Sequence, residues 1–269
     1  MGVNMIINIL KFLKSSKGAI SIEFAGVFAA FTAVLFIGYD IYNSISLQNN
    51  LERTNYTVAS LIRERSSLYT RIDDSISRPI NGTSSHPSLC DVSSESCFKT
   101  YELVSNEQLI EAQNLASKLL NKEVSIRIDS LFLLQHLDFP GDLNKAKLKN
   151  FTLSSCDNNN CDDRIKNFLD SRSNMEDRSV SERDYTKLIP FVSRTRNIDY
   201  PHSNITGRFI PLYRVSMCIN NAESFFLKFH DSSRQEKGIL PNLCSEISVI
   251  SRCNDLTDPQ IGCPIYVYR

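Results

Sequence analysis

Two sets of residues in this 269-residue chain carry chemistry that its composition does not account for. The first is Glu23. It lies in KGAISIEF (17–24) and is the sole charge in the 20 residues from Ala19 to Gly38, AISIEFAGVFAAFTAVLFIG. A carboxylate in an apolar run needs a counter-charge or a way out to water. The second set is eight cysteines, Cys90, Cys97, Cys156, Cys161, Cys218, Cys244, Cys253 and Cys263, all beyond residue 89. An even number confined to one part of a chain suggests disulfides formed in an oxidising compartment. The short spacings suggest Cys90–Cys97, Cys156–Cys161 and Cys253–Cys263, which leaves Cys218–Cys244 by elimination. The C-x6-C and C-x4-C spacings lack the tight repeated pairs of structural zinc sites, so no metal is expected.

Other chemistry is absent from the pattern. His86, His136, His202 and His230 are far apart and read as surface or loop residues. No phosphate-binding glycine loop, nucleophile elbow or zinc-protease helix occurs. Asp73-Asp74 and Asp162-Asp163 read as loop solvation or helix caps. Asp157–Asp163 (DNNNCDD) has calcium-type oxygens without the EF-hand spacing, and the cysteine pair already explains an ordered loop. No catalytic residue and no cofactor is expected. A formal net charge of zero gives no bulk electrostatic case for nucleic acid.

As a helix, the apolar run would be about 30 Å long, the thickness of a bilayer core. Lys11, Lys14 and Lys17 precede it with no acid before Gly18. The positive-inside rule then keeps the N-terminus cytoplasmic and exports the chain beyond the span. A cleaved secretory signal has a shorter apolar core and no such glutamate. A plain signal anchor tolerates Glu23 near one interface without explaining it. A cut between Gly18 and Ala19 explains it. Ala19 then brings a new α-ammonium to the start of an apolar helix, and Glu23 lies about one turn along as a counter-charge for a neighbour's amine.

Basic leader, glycine, four residues, glutamate and apolar helix form the processing signature of type IV pilin-like proteins. KGAISIEFAGVFAAF resembles the N-termini of TadE/TadF pseudopilins of tight-adherence (Tad) pilus systems. That group usually has Glu-Tyr; Glu23-Phe24 here keeps the ring and loses the hydroxyl. DIYNSISLQNNLERTNYTVASLIRERSSLY (40–69) and GRFIPLYRVSMC (207–218) resemble TadF in particular. The resemblance implies a structural minor pseudopilin, cut after Gly18 by a prepilin peptidase. Its partners would be other Tad pilins and pseudopilins and an inner-membrane assembly platform. The protein would cross the inner membrane once, with a periplasmic C-terminal domain. An uncleaved single-pass protein with a periplasmic ligand-binding or sensor domain is the alternative, though only 18 residues would face the cytoplasm. A secreted enzyme has only size and disulfides in its favour.

These residues need elements to hold them. The expected organisation is a leader at 1–18, a transmembrane helix at 19–38, an amphipathic extension at 39–72, and an α+β domain at 73–269. Leu47, Leu51, Thr54, Val58, Leu61, Arg65, Leu68 and Ile72 recur at steps of three and four, which predicts one helix of about 45–50 residues; a break near Gly38–Asn43 is the alternative. Residues 73–97 and 170–185 read as polar loops. A helix is predicted over 106–121, with Leu109, Ala112, Leu115, Ala116, Leu119 and Leu120 on one face. Strands are predicted at 124–128, 209–219, 247–253 and in the tail IYVYR, with 131–134 a strand or buried turn. The fold class is α+β: a long N-terminal transmembrane and amphipathic helix, then a disulfide-containing mixed helix and antiparallel-sheet domain.

Overall fold

The structure is a computed structural model. It describes residues 16–64, 102–136, 138–156, 161, 163–172, 174–176, 185–193, 207–219, 244–252 and 266–268. The chain divides into two units, Met1–Leu47 with Glu223–Pro241, and Gln48–Ala222 with Asn242–Arg269. The described part of the first unit is helical throughout. Helix α1 runs unbroken from Ser16 to Arg63, 48 residues. The alternative of two helices separated near Gly38 is excluded. Arg65, Leu68 and Ile72 of the expected stripe lie outside the described residues.

The second unit is α+β. After α1 come α2 (Asn106–Leu120), β1 (Val124–His136), β2 (Lys147–Ser154), α3 (Asp163–Asp170), a 3-10 turn (Tyr185–Leu188), β3 (Phe191–Ser193), β4 (Gly207–Phe209), β5 (Leu212–Ile219), β6 (Cys244–Ile250) and β7 (Val267–Tyr268). The main sheet has the order β2-β1-β5-β6, antiparallel throughout. The tail is a strand, as expected, and adds a parallel pair at the end of β1, Gln135 opposite Val267 and His136 opposite Tyr268. Strands β3 and β4 pair separately. Among the described residues the bonded cysteines are Cys156–Cys161 and Cys218–Cys244. Cys90, Cys97, Cys253 and Cys263 lie outside them.

Several boundaries move for identifiable reasons. The single strand β1 replaces the two short pieces expected around Asp129, because that carboxylate is compensated inside the sheet. Pro211 has no N–H to give a ladder and splits 209–219 into β4 and β5. Strand β6 starts at Cys244, earlier than expected, because the disulfide pins Cys244 opposite Cys218. Helix α2 begins at a capping box in which Ser105 and Gln108 bond each other's backbone. It buries Leu109 and Ala116, while Leu119 stays exposed. In the stretch expected as a polar loop, Met175 is buried in the core and Glu176 accepts from the Asn150 N–H.

The register assigns the two faces of the sheet. One carries Leu131, Leu133 and Leu212, which pack with Ala146, Met175, Ile189 and Phe209. The other carries Phe132 and Leu134, which pack with Tyr266 and Tyr268. Two charge networks are sealed inside. Asp129 receives Arg214 Nη2 at 2.8 Å, Arg127 Nη2 at 3.0 Å and the Thr152 hydroxyl at 2.6 Å. Burial alone would raise the Asp129 pKa; the Arg127 hydrogen bonds, the Arg214 charge and Thr152 outweigh it and hold the carboxyl below its ordinary range. Glu102 takes both ends of the Arg208 guanidinium, at 2.7 and 3.0 Å, and also receives Ser251 Oγ and Tyr266 Oη. The Tyr213 hydroxyl donates to the Glu102 carbonyl.

Helix α1 is fixed to this domain from Gln48 onward. Leu51, Val58, Ala59 and Ile62 are buried. Between them Asn55, itself fully buried, donates from Nδ2 to the Val215 carbonyl at 3.2 Å and to Ser245 Oγ at 3.1 Å. Gln48 reaches the Cys244 carbonyl at 3.4 Å, and the Arg252 N–H closes on the Arg63 carbonyl at 3.0 Å. One polar residue in an apolar stripe can bond only at one height and rotation, so Asn55 sets the register of helix on sheet.

Two outcomes are expected from these contacts. Asp129→Asn should lose about 3–5 kcal/mol in urea unfolding, since Arg127 and Arg214 would be buried without their counter-charge. The depressed carboxyl stabilises the fold above the unfolded Asp value of about 3.9 and loses that contribution as pH falls toward the folded value, so wild-type stability should drop below about pH 4 more steeply than that of Asp129→Asn. Asn55→Ala should cost about 1–3 kcal/mol in thermal unfolding, and Asn55→Asp more, because a carboxylate would face the Val215 carbonyl.

Candidate functional site

The residues singled out in the N-terminal stretch sit on one helix. Gly18 and Ala19 lie in the first turn of α1, where the leading N–H groups have no intrahelical acceptor. Lys17 is on the same turn; Lys11 and Lys14 lie outside the described residues. Glu23 follows Ala19 by four residues, which on a helix is the same face about 6 Å further along. Glu23 is exposed, and Phe24 beside it is 72 % exposed. The Phe24 ring stacks loosely on Phe28, centroids 6.4 Å apart, as i and i+4 residues do.

The described side chains that follow Glu23 on the helix, as far as Ile37, are nearly all apolar. Phe24, Val27, Phe28, Phe31, Val34, Leu35, Phe36 and Ile37 are each more than half exposed, and they point around the whole circumference. An 18-residue window of this helix meets the length and composition of a membrane span, and none of that window is buried by protein. A helix that is hydrophobic all round is solvated by lipid or by other helices. Gly26 and Gly38 have open space where a side chain would sit, so neither marks a close contact within the chain.

Among the described residues no group of three or more His, Cys, Asp or Glu side chains is placed to hold a metal. Of the 157–163 loop only Cys161 and Asp163 are described; Asp163 opens α3 in its first turn, where a carboxylate favours the helix dipole. His136 is half-buried at the end of β1, against Tyr268 and Phe139. A small, shallow apolar cleft of about 40 Å³ lies between α1 and α2, lined by Val58, Leu61, Ile62, Val104 and Leu115 with Gln108 and Glu111 at its edge. It brings no convergent set of polar groups together. Sequence reasoning missed Asn55, Glu102, Asp129, Arg208 and Arg214. Asn55 could have been found, since Leu51, Asn55, Val58 and Ile62 keep helical spacing and place an amide at an apolar position. The charge networks join residues far apart in sequence and leave no local trace.

No curated protein and no solved structure matches the chain. A family model described as "putative tight adherence pilin protein F" (TadF) matches residues 11–240, which takes in the exposed apolar helix, the Gly18–Glu23 stretch and most of the sheet. The chain belongs to the TadF family of Tad pilins and is a membrane-anchored protein.

Proposed function

We propose that this protein is a minor pseudopilin required to assemble a Tad-type pilus or secretion apparatus, matured by a prepilin peptidase that cuts between Gly18 and Ala19. Its role is structural, carried by contacts with other pilus subunits and with an inner-membrane assembly platform. The leader faces the cytoplasm and the α+β domain the periplasm, in keeping with Lys11, Lys14 and Lys17 before the span and with disulfides after it. The observation that carries this reading is the exposed all-apolar helix with one carboxylate, five residues beyond Gly18, in a TadF-family chain.

The geometry suggests how the parts act. A peptidase binds its substrate extended, so the first turn of α1 must unwind at the cut. Glycine is about 1 kcal/mol less favourable than alanine in a helix, so Gly18 lowers the cost of that unwinding and admits close backbone approach. After the cut, Ala19 bears an α-ammonium at the edge of the apolar helix. Glu23 of a neighbour displaced along the axis by about one turn, roughly 5.4 Å, lies level with that amine. Pairing removes two lone charges from lipid at once and fixes the stagger between subunits. Phe24 and Phe28 give the pair an apolar border. A domain of this bulk suits a tip or priming position better than a densely packed shaft.

Two measurements test the proposal in the native host. Gly18→Val and Gly18→Glu should yield a protein that retains residues 1–18 by intact mass, whereas wild type begins at Ala19; a native N-terminus at Met1 would remove the main support. Glu23→Gln should still be cut but should lose crosslinking to partner subunits and most pilus-dependent adherence, with Glu23→Asp intermediate. Normal crosslinking and adherence by a processed Glu23→Gln strain would show that the carboxylate is merely tolerated.

A further inference from the structure

One rung of the main sheet is loaded with sulfur. Ser125 on β1 is paired with Cys218 on β5, and Cys218 with Cys244 on β6. On the other side of β1, Arg127 is opposite Ser154, and the Ser155 N–H continues that ladder to the Ile126 carbonyl. Cys156 follows in the turn just past the end of β2 and packs with Cys218 in one buried cluster. Cross-strand partners share a face, with Cβ atoms about 4.5–5.5 Å apart. Ser125, Cys218 and Cys244 therefore form a row across three strands, with Cys156 packed beside it. Cys161 closes over that row, its Sγ 3.1 Å from Ser125 Oγ. Both disulfides pack into one cluster with Ile165 and Leu169. Cys156 and Cys218 are buried, while Cys161 and Cys244 are partly exposed. A disulfide sulfur carries no hydrogen, so the Ser125 hydroxyl is the donor in its contact with Cys161.

We propose that this row is a thiol–disulfide exchange site, in which a dithiol reductant opens Cys156–Cys161 and Cys161 then re-pairs with Cys218. The dithiol's thiolate attacks the accessible Cys161 sulfur and expels the Cys156 thiolate, giving a mixed disulfide on Cys161. The dithiol's second thiolate attacks its own bonded sulfur, leaves as a cyclic disulfide, and expels the Cys161 thiolate. Ser125 donates to that departing thiolate and holds it beside Cys218. Cys161 attacks Cys218 and expels the Cys244 thiolate. The two protons given up by the dithiol end on Cys156 and Cys244, and the protein gains two electrons. The product has a Cys161–Cys218 bond and two thiols. Cys244 opens β6, its carbonyl accepts from Gln48, and the next residue, Ser245, holds Asn55. Exchange therefore frees the end of the strand on which helix α1 is registered, so redox state controls how firmly helix and sheet are docked.

The test uses the full-length protein in detergent micelles, titrated with dithiothreitol, quenched in acid, alkylated with N-ethylmaleimide and mapped by peptide mass. The expected intermediate carries alkyl groups on Cys156 and Cys244 and a Cys161–Cys218 crosslink. Ser125→Ala should slow its appearance about tenfold, the effect of removing a hydrogen bond to a thiolate. Cys156→Ser should form the Cys161–Cys218 bond with no reductant added and leave Cys244 to be alkylated. Alkylation of Cys156 and Cys161 with Cys218–Cys244 intact at every stage would overturn the proposal, as would a bond from Cys161 to any other cysteine. If Cys156→Ser does not fold, the wild-type titration decides alone.

Discussion

A single helix with two incompatible surroundings governs the rest of this protein. From Phe24 to the late thirties α1 offers almost only apolar side chains to whatever lies around it, and from Gln48 it turns a stripe with Leu51, Asn55, Val58 and Ile62 inward onto a sheet. Lipid solvates the first part without direction, and its apolar side chains select neither a rotation nor a height. The second part has to supply both. Apolar packing alone would let α1 slide by a turn with modest loss, whereas the Asn55 amide finds the Val215 carbonyl and Ser245 at one register only. The α+β domain can be understood as the frame that makes this docking unique.

The frame is polar where an ordinary core would be apolar. Strand β1 is buried along nearly its whole length, yet it carries Arg127, Asp129 and Gln135. Each buried carboxylate is matched: Asp129 by two guanidinium groups and a hydroxyl, Glu102 by Arg208, Ser251 and Tyr266. Such groups add less stability than hydrocarbon of equal volume, but they exclude alternative pairings, because any slip leaves a charge buried alone. Gly207 shows the same intolerance in steric form: a Cβ there would sit 2.3 Å from the Val192 carbonyl oxygen.

How far this could be read from sequence depended on the range of the signal. The long helix, α2 and the α+β class were legible, because hydrophobic periodicity and the Ser105 cap act within a few residues. The stretch that carries the family resemblance was legible for the same reason, since Gly18, Ala19, Glu23 and Phe24 lie within seven positions of one another. Strand β1 was cut short at Asp129 because nothing local says that Arg214 will neutralise it. Strand β2 and helix α3 went unread: KLKNFTLS mixes lysines into an edge strand, and DRIKNFLD is too short and charged to stand out. The parallel seat of the tail on β1 is a tertiary choice that no alternation pattern encodes.

The Glu102 network bears on how the domain comes into being. Its members enter the chain at 102, 208, 213, 251 and 266, a spread of 164 residues. Glu102 cannot be fully compensated until Tyr266 has been synthesised and has found its place, and β7 then closes on β1 beside it. Closure across so wide a sequence separation slows folding, because the loop entropy is lost before the contacts that offset it are made. A chain that stops short of Tyr266 keeps an under-compensated carboxylate at its centre and lacks the strand that pairs with the end of β1, which exposes that end to local opening and proteolysis.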